Sequence, residues 1–169
     1  LEAARTHAEA RAVYTSFRVI GGRGPGGGVP EGLVADYFRA RLEHRIAMTS
    51  SSVLVDRETH LELGGFEAGV AFAEDTTLWL RLACTNRVCF IPEELVAIHR
   101  DTKARDSTIS IEEHIRGLDV LFERHRRLKD AGQIRFGQER YCSLFIDELR
   151  AFQALLMMRA GRRRAALFT

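Results

Sequence analysis

Leu63-Gly64-Gly65-Phe66, running on to Ala73-Glu74-Asp75-Thr76-Thr77-Leu78-Trp79-Leu80-Arg81-Leu82, holds the residues best suited to chemistry. A glycine turn delivers one aromatic side chain. A short loop then ends in two adjacent carboxylates where a helix is predicted to begin. Unpaired N–H groups and the positive end of the helix dipole favour a carboxylate there. Capping is the commoner reason for an aspartate at such a place. A second role is general base, and the two roles are compatible. Paired carboxylates are electrostatically awkward and exceed what a cap needs. At Gly64-Gly65 a helix C-cap accounts for one glycine and leaves the second, with Phe66, unexplained.

Other candidates are weaker. His99-Arg100, at the end of a predicted strand, reads as a surface pair, or as a metal or diphosphate contact. Gly22, Gly24 and Gly27 spell the dinucleotide-binding spacing between a strand and a helix, which would suit an oxidoreductase. Pro25 and Pro30 interrupt that loop and favour plain flexibility. Cys84, Cys89 and Cys142 are an odd number without CxxC spacing and sit among apolar neighbours, so they read as reduced core thiols of a cytosolic protein. The run Arg159 to Arg164 reads as a solvated helix end or as a contact for anionic lipid, and no stacking platform supports nucleic acid.

The elements that must position these groups follow from periodicity. Residues 1–10 read as helix, 12–20 as strand and 31–46 as an amphipathic helix. Met48 to Val55 reads as a strand whose polar half, with Ser51 and Ser52, faces a ligand. A short helix over 57–63 leads to Gly64. A helix over 75–85 carries Leu78, Trp79 and Leu82 on one side and Arg81 on the other. Arg87–Ile91 and Glu94–His99 read as two strands broken by Pro92. Ser110 and Glu113 form a capping box. Helices are predicted from 111 to about 129 and from about 135 to 160. The chain therefore divides into a mixed α/β part, 1–110, and a helical extension, 111–169. At 169 residues, with 46% hydrophobic and 28% charged content and a net charge of +2, it can build a real core. No apolar run reaches the roughly 18 residues of a membrane span.

The ordered set Ser50-Ser51-Ser52-Val53-Leu54-Val55, Leu63-Gly64-Gly65-Phe66, Glu74-Asp75, Leu78-Trp79-Leu80-Arg81-Leu82, Arg87-Val88, Ile91-Pro92-Glu93 and His99-Arg100 resembles the second half of family 2 glycosyltransferases with the GT-A fold. The resemblance covers roughly residues 1–110. It implies a partial GT-A-like mixed sheet with flanking helices. It implies inverting sugar transfer from a nucleotide-sugar to an acceptor hydroxyl of a saccharide, lipid or protein, with Asp75 as base. Glu74, Gly64, Gly65, Phe66, Ser51, Ser52 and Arg100 would line the substrates, and His99 would touch the metal, Mn2+ or Mg2+. The family's Asp-x-Asp, which holds metal and donor, does not occur in this sequence. The chain is thus expected to be an acceptor-side fragment, inactive by itself, self-associating, and cytoplasmic, its arginine-rich end able to touch the inner face of the membrane. The rival expectation is a non-catalytic oligomerisation or scaffold module.

Overall fold

A computed structural model describes residues 5–22, 24–25, 29–43, 46–99 and 109–161. In chain order these give β1 (Ala10–Ile20), β2 (Gly32–Leu33), α1 (Tyr37–Leu42), β3 (Val53–Val55), α2 (Arg57–Glu62), α3 (Glu74–Thr85), β4 (Arg87–His99), α4 (Ile111–Asp130) and α5 (Glu139–Arg159). The architecture is α/β: a four-stranded mixed sheet and five helices among the described residues. The strand order is β2-β4-β1-β3. β1 runs parallel to β4, whereas β2 and β3 are short antiparallel edges.

Several boundaries differ from the periodicity reading. The helix predicted over 1–10 is present at residues 5–6, the first described, and ends in a turn over 7–9, in which the Ala10 N–H donates to the His7 carbonyl at 2.9 Å, and Ala10 already belongs to β1. The helix predicted over 31–46 shrinks to α1. Asp36 caps it by accepting from Arg39 N–H at 3.0 Å, and Gly32–Leu33 pair with β4 instead. The polar half of Met48–Val55 is a turn, closed by Ser52 N–H on the Thr49 carbonyl at 3.0 Å.

β4 is one strand despite Pro92. The register jumps from Thr15–Ile91 to Ser16–Glu94 and again to Phe17–Val96. Pro92 and Glu93 therefore fall in a bulge, where a proline costs no ladder hydrogen bond. The second slip leaves Leu95 out of the ladder, with its side chain exposed.

Both parts of the chain feed one apolar cluster. Tyr14 of β1, Phe38 of α1, Leu78 and Leu82 of α3, Leu121 of α4 and Phe145 of α5 all belong to it. The capping box that starts α4 forms as the sequence indicates. All three cysteines are free and buried, and the sulfurs of Cys84 and Cys142 lie 3.8 Å apart, joining α3 to α5.

Helix α4 packs closely against the segment leading into α3. A Cβ on Gly117 would overlap the Phe72 carbonyl oxygen, with the carbonyl carbon at 2.9 Å. In an ordinary helix, glycine to alanine stabilises by about 1 kcal/mol. Here Gly117→Ala should instead destabilise by about 1–3 kcal/mol in denaturant unfolding, the usual cost of overpacking. A stabilised variant would mean that the two segments do not touch.

Candidate functional site

The aromatic turn comes first in the chain. Asp56 caps α2 by accepting from Thr59 N–H at 2.9 Å and from its hydroxyl at 2.8 Å. The helix ends in two left-handed residues, Gly64 at φ +82° and Gly65 at φ +65°. Both glycines are required, because L side chains rarely adopt that conformation. Phe66 follows, 47% exposed. Its ring stands edge-on to Trp79, centroids 6.2 Å apart, and to His60 at 5.6 Å.

Arg81 is placed differently from the sequence reading. It is not on a solvent face but buried at 8% exposure. Its guanidinium reaches back to the turn, donating to the Leu63 carbonyl and, at 2.5 Å, to the Gly65 carbonyl. Its Nε donates to the Thr77 carbonyl. Glu67 lies 3.7 Å away and receives a bidentate grip from Arg124 of α4 at 2.7 and 3.0 Å. The turn offers carbonyls that only a long, multiply donating side chain can satisfy, and arginine supplies five donors. Hydrogen bonding from Arg124, followed by the Arg124 and Arg81 charges, holds the Glu67 carboxyl below its ordinary range.

Asp75 lies in the first turn of α3, one residue inside its start. The cap position belongs to Ala73, so Asp75 is not the N-cap. Ala73 has φ +59°, the one non-glycine with positive φ among the described residues. Its carbonyl accepts from both the Thr77 N–H at 2.8 Å and the Thr77 hydroxyl at 2.7 Å. The Asp75 carboxylate accepts from Thr76 N–H at 2.5 Å and from the Ser50 hydroxyl at 3.3 Å.

Two cavities meet at Thr76. The larger, about 470 Å³, is lined by Met48, Thr49, Thr76, Trp79, Tyr37 and Arg41 among others. The smaller, about 220 Å³, is lined by Phe72, Glu74, Asp75 and Ile109. The larger volume falls in the range of small-molecule sites. The Trp79 indole N–H, buried at the cleft wall, has no partner among the described residues. Unpaired buried donors are uncommon and costly, and this one lies beside the cleft.

The remaining candidates separate. Glu74 and Asp75 share the small cavity, and the Gly64–Phe66 turn is tied to their helix. Ser51 is exposed. Ser52 is buried and spends its hydroxyl on Thr49 at 2.9 Å. The hydroxyl that reaches Asp75 belongs to Ser50, brought there by the turn that replaces a predicted strand. His99 ends β4 opposite Ile20, exposed. Arg100 lies outside the described residues, as do Arg23 and Gly26–Gly28 of the glycine loop. Among the described residues no group of three or more His, Cys, Asp or Glu is placed to hold a metal ion.

The Glu67 ion pairs give a pH test of how the turn is held. A carboxylate whose folded pKa is depressed contributes its stability fully above its ordinary value of 4.5 and loses it as pH falls through the lowered value. Glu67→Gln should therefore cost about 1–2 kcal/mol at neutral pH. The difference from the native chain should close in acid. A gap independent of pH would show that the charge of Glu67 is not what matters.

Comparison with known proteins adds little to this geometry. No protein-family model matches the chain, and no solved structure matches it. A protein of Mycobacterium tuberculosis (strain CDC 1551 / Oshkosh), described as uncharacterized protein MT1568, is 31% identical over 96 residues. The match covers 57% of this chain but only 28% of that relative. The chain is similar to part of a longer protein.

Proposed function

We propose that this chain is the acceptor side of an inverting glycosyltransferase with a GT-A-like fold, in which Asp75 is the general base. One observation carries the proposal. The helix that begins with Glu74 and Asp75 also holds the Gly64-Gly65-Phe66 turn, through Arg81 on its carbonyls and Trp79 against its ring. Carboxylate and aromatic wall are thus fixed to one helix, whose Thr76 and Trp79 line the larger cleft and whose Asp75 lines the smaller.

The chemistry follows from that placement. A sugar hydroxyl is a weak nucleophile. Asp75 takes its proton as the new bond to the anomeric carbon forms, and the nucleotide diphosphate departs from the opposite face. The hydroxyl of Ser50, donating to the carboxylate at 3.3 Å, orients it. Phe66 offers an apolar face to a sugar ring. The resemblance assigns charge neutralisation on the diphosphate to Mn2+ or Mg2+ held by an Asp-x-Asp that this sequence lacks. The share of the work that falls to this chain is proton removal and acceptor positioning, on the cytoplasmic side.

The test needs a chain extended at its N-terminus with a donor-binding half. There, Asp75→Asn should lower turnover about a hundred- to ten-thousandfold, with nucleotide-sugar affinity unchanged. Retained turnover would remove Asp75 from the role of base. Phe66→Ala should leave stability intact, because the ring is half exposed, and raise the KM for acceptor. The 169-residue chain alone should transfer no sugar.

A further inference from the structure

The larger cavity has a chemistry that proton removal at Asp75 does not use. Its volume is about 470 Å³, and Phe17, Val19, Ile46, Leu80, Phe145 and Leu149 supply much of its wall. Such a cavity suits a small apolar ligand oriented by a few polar groups. The Trp79 side chain, 4% exposed, lines it with its indole N–H unpartnered among the described residues. Among the described residues Arg41 is the one charged side chain on the wall.

Arg41 lies in the last turn of α1 and is half-buried. Its guanidinium makes no hydrogen bond or ion pair to any described residue. The fold satisfies its other half-buried or buried arginines. Arg81 donates to turn carbonyls, Arg124 to Glu67 and Arg135 to the Asn86 carbonyl. On α1 itself, Glu43 accepts from Arg39 at 3.2 Å. A guanidinium carries five donors and no acceptor, so Arg41 leaves at the cavity a cation whose partner the chain does not supply.

The charge around the cavity limits what that partner is. Thr76 is on the wall, and its N–H and hydroxyl both donate to Asp75, at 2.5 and 3.1 Å. Burial pushes the Tyr37 hydroxyl, also on the wall, above its ordinary range. The Met48 N–H and Arg41 oppose that shift, and Asp75 adds to it. The cavity thus lies in the field of one cation and one anion. Arg41 balances a single negative charge. A phosphate monoester carries about 1.5 to 2 at neutral pH, and the excess would face Asp75.

We propose that this cavity binds a small apolar carboxylate, its hydrocarbon part against Phe17, Leu80 and Phe145 and its carboxylate on Arg41. The planar guanidinium suits two parallel N–H···O bonds to such a group. This binding stands on the cavity and on Arg41, independent of the transferase reading. On that reading the carboxylate belongs to the acceptor, whose hydroxyl is presented to Asp75 past Thr76.

Trp79 is the only tryptophan in the sequence, so its emission reports occupancy of the cavity. The 169-residue chain is titrated at neutral pH with octanoate, octanol, octyl phosphate and acetate. Octanoate is expected to change the emission saturably, about tenfold or more tighter than octanol, and acetate to leave it unchanged. Octyl phosphate should bind no more tightly than octanoate. Arg41→Gln should bring octanoate to the level of octanol and leave octanol where it was. Ala47→Phe, which adds a ring to the cavity wall, should weaken both without changing the circular dichroism spectrum. The proposal is overturned if octanoate does not bind, if octanol matches it, or if Arg41→Gln leaves its affinity unchanged. Tighter binding of octyl phosphate would reassign the cavity to phosphates, and octanoate binding untouched by Ala47→Phe would place the ligand elsewhere; either result equally overturns it. None of these measurements uses a nucleotide-sugar or turnover, so this proposal and the role of Asp75 fail separately.

Discussion

The site rests on a buried guanidinium satisfied mainly by backbone. Burying a charge is costly unless its donors are met. Arg81 meets this condition through the carbonyls of Leu63, Gly65 and Thr77 and the nearby carboxylate of Glu67. The arrangement works in both directions. The carbonyls of a two-glycine turn, which would otherwise lack donors, fix the turn's position. The arginine, in turn, is fixed by α3. Because Glu67 also binds Arg124, the anchor extends from the turn through α3 to α4.

Much of this was legible in the sequence. Local rules succeeded where the cause is local. The Ser110–Glu113 capping box, the start and end of α4, the short helix before Gly64 and the helix bearing Trp79 all follow from neighbours a few residues apart. Pro92 misled because a bulge depends on the register of a partner strand, which periodicity along one strand does not contain. The strand predicted through Ser51 and Ser52 failed for a related reason. Thr49 and Ser52 can satisfy each other across a turn, and that local bond wins over extension.

The site residues divide in the same way. Asp75 and Phe66 were visible as residue types at special places. Arg81 was not, because an arginine on an amphipathic helix ordinarily faces water, and only the open carbonyls of a turn far back in the chain draw it inward. Ser50 carries no signal of its own in a strand reading of Met48–Val55: only the turn closed between Thr49 and Ser52 brings its hydroxyl to Asp75. Gly117 carries no signal by itself: a glycine within a helix pattern shows its purpose only when another backbone touches it.

Ala73 joins the two halves of the chain in a way that can be stated as thermodynamic linkage. A left-handed alanine costs about 1–2 kcal/mol, and such a conformation persists only where its surroundings over-determine it. The preceding residue, Phe72, is pressed against Gly117 of α4 and stacks on His114 at 4.2 Å. Withdrawal of α4 would free Ala73 to relax and unwind the first turn of α3, taking Glu74 and Asp75 with it. Any ligand that binds α4 in its docked position more tightly than in its undocked one therefore also stabilises the carboxylates, and reciprocally an occupant of the Asp75 pocket holds α4 in place.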